Sequence, residues 1–219
     1  MSNDPESPRE STDPAPPRGS TDPAPPEIDV PDGWRLISEE VATPFDVRVV
    51  RVTANTRIYE DVDLRTQLAD VTDTKATWRF VFASRLRVRP ATPPSGALSR
   101  LVTERANSRF VEILGDRGFE SIDRADTHRF EIGAARTDAD PATGHAAGTD
   151  SSTEATRYRA RVGLDDRSVP VEAYFAAWPS RDGEYLLGGG AYPLSVPGST
   201  SFDPERARDE LFSMLRTIR

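Results

Sequence analysis

The chain contains no cysteine. That excludes disulfides, thiolate zinc ligands, an acylated lipobox cysteine and a cysteine nucleophile. Lysine is almost absent too: the 219 residues hold 27 arginines and one lysine, Lys75. There are two histidines, His128 and His145, and neither sits in an H-x-x-x-H or H-E-x-x-H spacing, so no metal site is expected. No stretch approaches the roughly 20 apolar residues of a membrane span. The N-terminus lacks the apolar core of a secretory signal, and a cytoplasmic location is the expectation. The triplet Gly188-Gly189-Gly190 has neither the lysine of a phosphate loop nor the dinucleotide-binding spacing. It predicts close approach of a backbone or large side chain instead, and no cofactor is expected.

What is present is acid. Twenty-one aspartates and fifteen glutamates bring the net charge to −8 and the pI to about 4.9. General nucleic-acid binders run basic, so the overall charge argues against that class. The aspartate-rich, lysine-poor composition resembles that of a halophilic archaeal protein family. The resemblance implies a surface that stays hydrated in molar salt, where the Debye length falls to about 3 Å and self-repulsion is screened. A GC-rich genome alone would also exchange lysine for arginine.

Residues 1–27 hold eight prolines and no aromatic or branched aliphatic side chain, and the heptapeptide STDPAPP occurs at 11–17 and again at 20–26. With nothing to bury, this tail is expected to be disordered and prone to polyproline II. It reads either as a proline-rich ligand for a partner or as a solubilising tail. Residues 28–219 read as a single domain. A small-and-polar stretch at about 137–155 is expected to be a flexible insertion at a hairpin tip.

Within the domain, residues 33–37 and 45–60 read as extended. The apolar parity switches at Val49-Val50, which predicts a bulge or a strand covered on both faces. Residues 63–70 suit a short helix or turn. The stretch WRFVFASRLRVRP at 78–90 keeps an unbroken period of two. Trp78, Phe80, Phe82, Leu86 and Val88 share one side, and Arg79, Arg85, Arg87 and Arg89 share the other. The period then becomes helical from Ser95, an N-cap, with Leu98, Leu101, Val102, Ala106, Phe110, Ile113 and Leu114 as its apolar stripe. Strands are expected at 127–136, 156–164, 168–178 and 184–192. In the second of these Arg157, Arg159 and Arg161 alternate with Tyr158, Ala160 and Val162. A final helix starts at Asp203 as N-cap with Pro204 at its first position, and buries Ala207, Leu211, Met214, Leu215 and Ile218.

Strands in runs, not in alternation with helices, predict an α+β fold: an antiparallel sheet of six to seven strands packed against two main helices. The expected core includes Trp78, Phe80, Phe82, Leu101, Phe110, Tyr158, Phe175, Leu211 and Leu215. This element order, with its helix before the second half of the meander and its C-terminal helix after GGGAYP, resembles the Mog1/PsbP-like fold. That group includes small GTPase-binding proteins, photosystem subunits and bacterial lipoproteins, so the resemblance implies a binding or assembly module more often than an enzyme.

No nucleophile elbow, paired-histidine motif or calcium loop is present; residues 138–150 lack the ligand order and the terminal glutamate of the last. No catalytic residue is assigned. The candidate ligand- or partner-binding residues are Arg79, Arg85, Arg87, Arg89, Arg157, Arg159 and Arg161. They could pair with Glu131, Glu172 and other acids of the same sheet, grip an unknown protein partner or acidic ligand, or contact nucleic acid. The leading functional reading is a non-catalytic binding or assembly module. The alternatives are an enzyme using scattered Asp, Glu and Arg, and a nucleic-acid-associated protein using the arginine strands.

Overall fold

The computed structural model describes residues 22–47, 50–69, 79–132, 152–164, 167–181, 183–199 and 201–219. Residues 1–21 of the expected tail, residues 137–151 of the expected insertion, Trp78 and His145 lie outside the described residues.

Strand β1 (Trp34–Val47) and strand β2 (Val50–Asp61) form the first hairpin; helix α1 (Val62–Ala69) and strand β3 (Phe80–Arg89) follow. Helix α2 (Gly96–Asp116) leads to strands β4 (Phe119–Glu131), β5 (Ser152–Leu164), β6 (Arg167–Arg181) and β7 (Glu184–Pro193), and helix α3 (Pro204–Leu215) completes the fold. All seven strands join one sheet in the order β1-β2-β3-β7-β6-β5-β4. Every neighbouring pair is antiparallel. The α+β class expected from the strand runs is the class observed.

Two elements differ from expectation. The extended stretch expected at 45–60 is divided between two strands: Val47 at the end of β1 pairs with Val50 at the start of antiparallel β2, and Val49 lies outside the described residues. Strand β4 begins eight residues before the expected 127. Residues 120–126 are almost all charged or polar and exposed, so they carry no apolar period to read.

The helices take opposite faces of the sheet. Phe110 and Leu114 of α2 pack with Phe80, Leu86, Val88, Tyr158, Val162 and Phe175. Leu211, Phe212 and Leu215 of α3 pack with Val81, Ala83, Tyr174, Ala176, Trp178 and Leu186. Even positions of β3 and β5 therefore look toward α2, and odd positions toward α3. Among the expected core residues Phe80, Phe110, Tyr158, Phe175, Leu211 and Leu215 are buried, and Phe82 is half-buried against them. Leu101 is not; it is 52% exposed. It lies nine residues before Phe110, which at 3.6 residues per turn puts it about 180° around the helix from the buried face.

Helix starts are as the sequence predicts. Ser95 accepts a hydrogen bond from the Leu98 N–H, and Asp203 accepts from Glu205 and Arg206, with Pro204 following.

Strand β7 is buried along its whole length, and its glycine triplet sets how closely the layers meet. A Cβ on Gly188 would strike Ile218 and Leu215, and one on Gly190 would strike the Phe80 carbonyl and Leu211. A Cβ on Gly189 would meet the Tyr174 carbonyl and the Phe82 ring on the other face. Helix α3 thus rests nearly on the backbone of β7. Gly190→Ala is expected to destabilise the fold by about 1–3 kcal/mol, the usual cost of overpacking. Urea unfolding measures it, and a loss below 0.5 kcal/mol (about the scatter of a surface change) would show that the layer spacing is not fixed there.

The packed chain begins earlier than residue 28. Pro23, Pro26 and Ile28 are buried, and Glu27 exchanges backbone hydrogen bonds with Arg219, its N–H donating at 2.9 Å and its carbonyl accepting at 3.0 Å. The Arg219 guanidinium also reaches Glu27 and Asp29. Glu27 and the C-terminal Arg219 therefore hold each other beside α3.

Candidate binding face

Both arginine rows occupy odd positions and so share the α3 face. They do not merge into one surface. Strands β7 and β6 lie between β3 and β5, a separation of about 14 Å at ordinary strand spacing. Those two strands carry buried acids that draw the rows inward.

Arg79 is almost enclosed. Its Nη1 donates to Asp61 Oδ2 at 2.8 Å and its Nη2 lies 3.3 Å from Glu210 Oε1. The guanidinium stacks on the Trp34 ring at 5.2 Å, and Trp34 Nε1 donates to the same Glu210. These contacts tie the start of β3 to β1, β2 and α3.

Arg87 meets Glu184, the first residue of β7. Nε and Nη2 both donate to Oε1, at 2.9 and 2.8 Å. Arg181 closes on the same carboxylate, with Nε 2.7 Å from Oε2. Burial pushes the Glu184 carboxyl up, but hydrogen bonds from Arg181 and Arg87 outweigh it and hold it below its ordinary value.

Arg157 spans two acids. It donates from Nε and Nη2 to the two oxygens of Asp126, at 2.8 and 2.6 Å, and from Nη1 to Glu172 Oε1 at 3.0 Å. The other Glu172 oxygen accepts from the Tyr192 hydroxyl at 2.9 Å and the Tyr174 hydroxyl at 3.3 Å. Burial raises both phenols, with the neighbouring carboxylate adding to it, so both stay protonated as donors. His128 packs its ring on Phe212 at 4.7 Å beside this cluster. Glu172 was legible as a partner acid; Glu131 is exposed and stands in register with Ser152, not with an arginine.

The other four arginines are less engaged. Arg161 donates to Ser168 Oγ at 2.8 Å. Arg89 and Arg159 are exposed, and neither forms an ion pair among the described residues. Arg85 is half-buried, with its Nε shielded and unpartnered. A groove of about 440 Å³ opens beside Arg87, Arg89, Pro90 and Glu184. A second, of about 460 Å³, lies on the α2 face between Asn107, Arg124 and Tyr158, where the Tyr158 hydroxyl donates to Asn107 at 2.8 Å. Among the described residues no group of three metal-ligating side chains comes together, and no helix is long and apolar enough to cross a membrane.

Sequence reasoning missed Asp61, Asp126, Glu184 and Glu210 as partners. Only Glu184 left a trace, standing three residues after Arg181, with which it pairs in register.

The fold and its charge network define a three-layered antiparallel α+β domain on one face of which three arginines are neutralised by acids of the same fold. The chain belongs to the family described as a domain of unknown function, DUF6517, whose model matches residues 22–219. None of the curated proteins matches it. Among solved structures it is similar to the crystal structure of LpqN, a protein involved in cell envelope biogenesis of Mycobacterium tuberculosis. The match has 12% identity over 90% of this chain and 85% of that one and a TM-score of 0.33, a likeness too low to bear on fold or function.

Because the folded Glu184 binds its proton less readily than in the unfolded chain, its stabilising contribution is full above the unfolded value of about 4.3. It is lost as the pH falls through the lower folded value. Glu184→Gln should flatten the dependence of unfolding free energy on pH below about 4.3. Chemical unfolding between pH 3 and 6 reads it, and an unchanged acid slope would assign the loss to other carboxylates.

Proposed function

We propose that this chain is a non-catalytic binding module that grips an acidic protein segment at the β3 end of its arginine face. The observation that carries the reading is Arg89. It is exposed, has no carboxylate of its own among the described residues and borders a groove whose other guanidinium, Arg87, is already fixed by Glu184. A pre-oriented arginine beside an unpaired one suits planar carboxylates, and bidentate geometry keeps specificity where salt screens simple attraction. The acidic, lysine-poor composition supports a salt-rich cytoplasm as the setting, and the element order supports the Mog1/PsbP-like comparison with binding and assembly proteins. Nucleic acid fits less well, because phosphate contacts weaken steeply as salt rises.

Labelled poly-L-glutamate titrated onto the full chain in molar KCl tests this. Binding is expected, and Arg89→Glu should weaken it about tenfold, the loss of one charged hydrogen bond, with the unfolding midpoint unchanged. Absence of binding, or binding indifferent to Arg89→Glu, would contradict the reading. Tight duplex DNA binding in the same buffer would favour nucleic acid.

A further inference from the structure

Residues 22–26 of the second heptapeptide repeat are docked on the sheet as a ligand would be. The Asp22 carbonyl accepts from Arg87 Nη1 at 3.1 Å, the Pro23 carbonyl from Asn55 Nδ2 at 3.4 Å, and the Pro26 carbonyl from Arg57 Nη1 at 3.4 Å. Pro23 and Pro26 are buried while Ala24 and Pro25 are exposed. A spacing of three between buried prolines is the period of polyproline II, which shows one face to a groove. A proline-rich segment has few N–H groups to give, and the surface beneath it answers in kind: Arg87, Asn55 and Arg57 each donate to one of its carbonyls. With the segment in place Asn55 is 4% exposed, so its donor is enclosed between the segment and the sheet.

The same seven residues occur once more, at 11–17, with Asp13, Pro14 and Pro17 in the places of Asp22, Pro23 and Pro26. We infer that the β2–β3 groove recognises the heptapeptide itself, and that the first repeat is an alternative occupant of it within the same chain. Identical residues can make the same three carbonyl contacts and bury the same two prolines. What ranks the second repeat first is the sequence after it. Glu27 and Ile28 follow it, one pairing with Arg219 and the other entering the core; Arg18 and Gly19 follow the first. For the first repeat to dock while Ile28 stays in place, residues 18–27 must loop out. Loop closure costs rise only slowly with length, so ten residues are no barrier. The arrangement makes the groove a peptide site that is occupied in either register. This inference rests on the repeat and its contacts, independently of the acidic-segment reading.

The test is the unfolding midpoint of three full-length variants. In the first, Pro23→Ser and Pro26→Ser break the second repeat. In the second, Pro14→Ser and Pro17→Ser break the first. The third carries all four changes. With interchangeable repeats, breaking the first alone leaves the midpoint unchanged, because the second holds the groove. Breaking both lowers the midpoint by about 2–4 °C more than breaking the second alone, the shift expected for loss of a contact set this small in a domain of this size. Equal midpoints for the first and third variants would overturn the inference. So would a first-repeat variant that loses as much in the wild-type background as in the broken one.

Discussion

A carboxylate buried in the sheet beside an arginine is the interaction on which the rest of this structure depends. Both faces of the sheet are covered by helices, so a row of guanidiniums on one of them cannot simply face water. A guanidinium enclosed by the layer is favoured where a carboxylate neutralises it, because an unpaired buried charge costs far more than a surface one. Asp61, Glu172 and Glu184 do this for Arg79, Arg157 and Arg87. Arg89 and Arg159 stay exposed instead, and Arg85 is half-buried with its Nε unpartnered. The pairings also connect strands: β3 to β7, which are distant in sequence, and β5 to its sequence neighbours β4 and β6. They fix the register of a sheet whose aromatic face would tolerate more than one packing.

The closeness of α3 to β7 depends on the same arrangement. A helix can rest on a backbone only where side chains are absent, and the three glycines provide that. Flanking it, Trp34, Glu210 and Arg79 form one buttress, and the paired Glu27 and Arg219 another. The proline segment that precedes Glu27 then covers the part of the α3 face that the helix leaves open, over Asn55, Arg57 and Arg87. Helix, chain end and proline segment divide one sheet face among them.

Much of this was legible in the sequence, for physical reasons. The period of two in residues 80–88 and the capping residues at Ser95 and Asp203 are local signals, and local signals survive folding. The glycine triplet announced a close approach because no phosphate-loop residue accompanied it. The first hairpin was misread because alternation in two successive strands looks like one strand with a slipped parity. Leu101 was misread because it lies beside Val102 in sequence and across the helix from Phe110 in space. The acids that neutralise the arginines were mostly invisible. Asp61 and Arg79 stand eighteen residues apart, and Arg87 and Glu184 ninety-seven, so only the strand order brings them together. Residues 22–26 were read by composition alone, and composition does not show that a surface elsewhere supplies donors for their carbonyls.

If internal neutralisation organises the sheet, its members must be energetically coupled. A double-mutant cycle on Arg157→Met and Glu172→Gln, read by urea unfolding, tests this most directly. The account predicts that each single change destabilises, and that the double variant loses less than their sum by about 0.5–3 kcal/mol, the range for partners in one network. Additive losses would mean that the arginine row and the buried acids stabilise the sheet independently, and the central claim would fail.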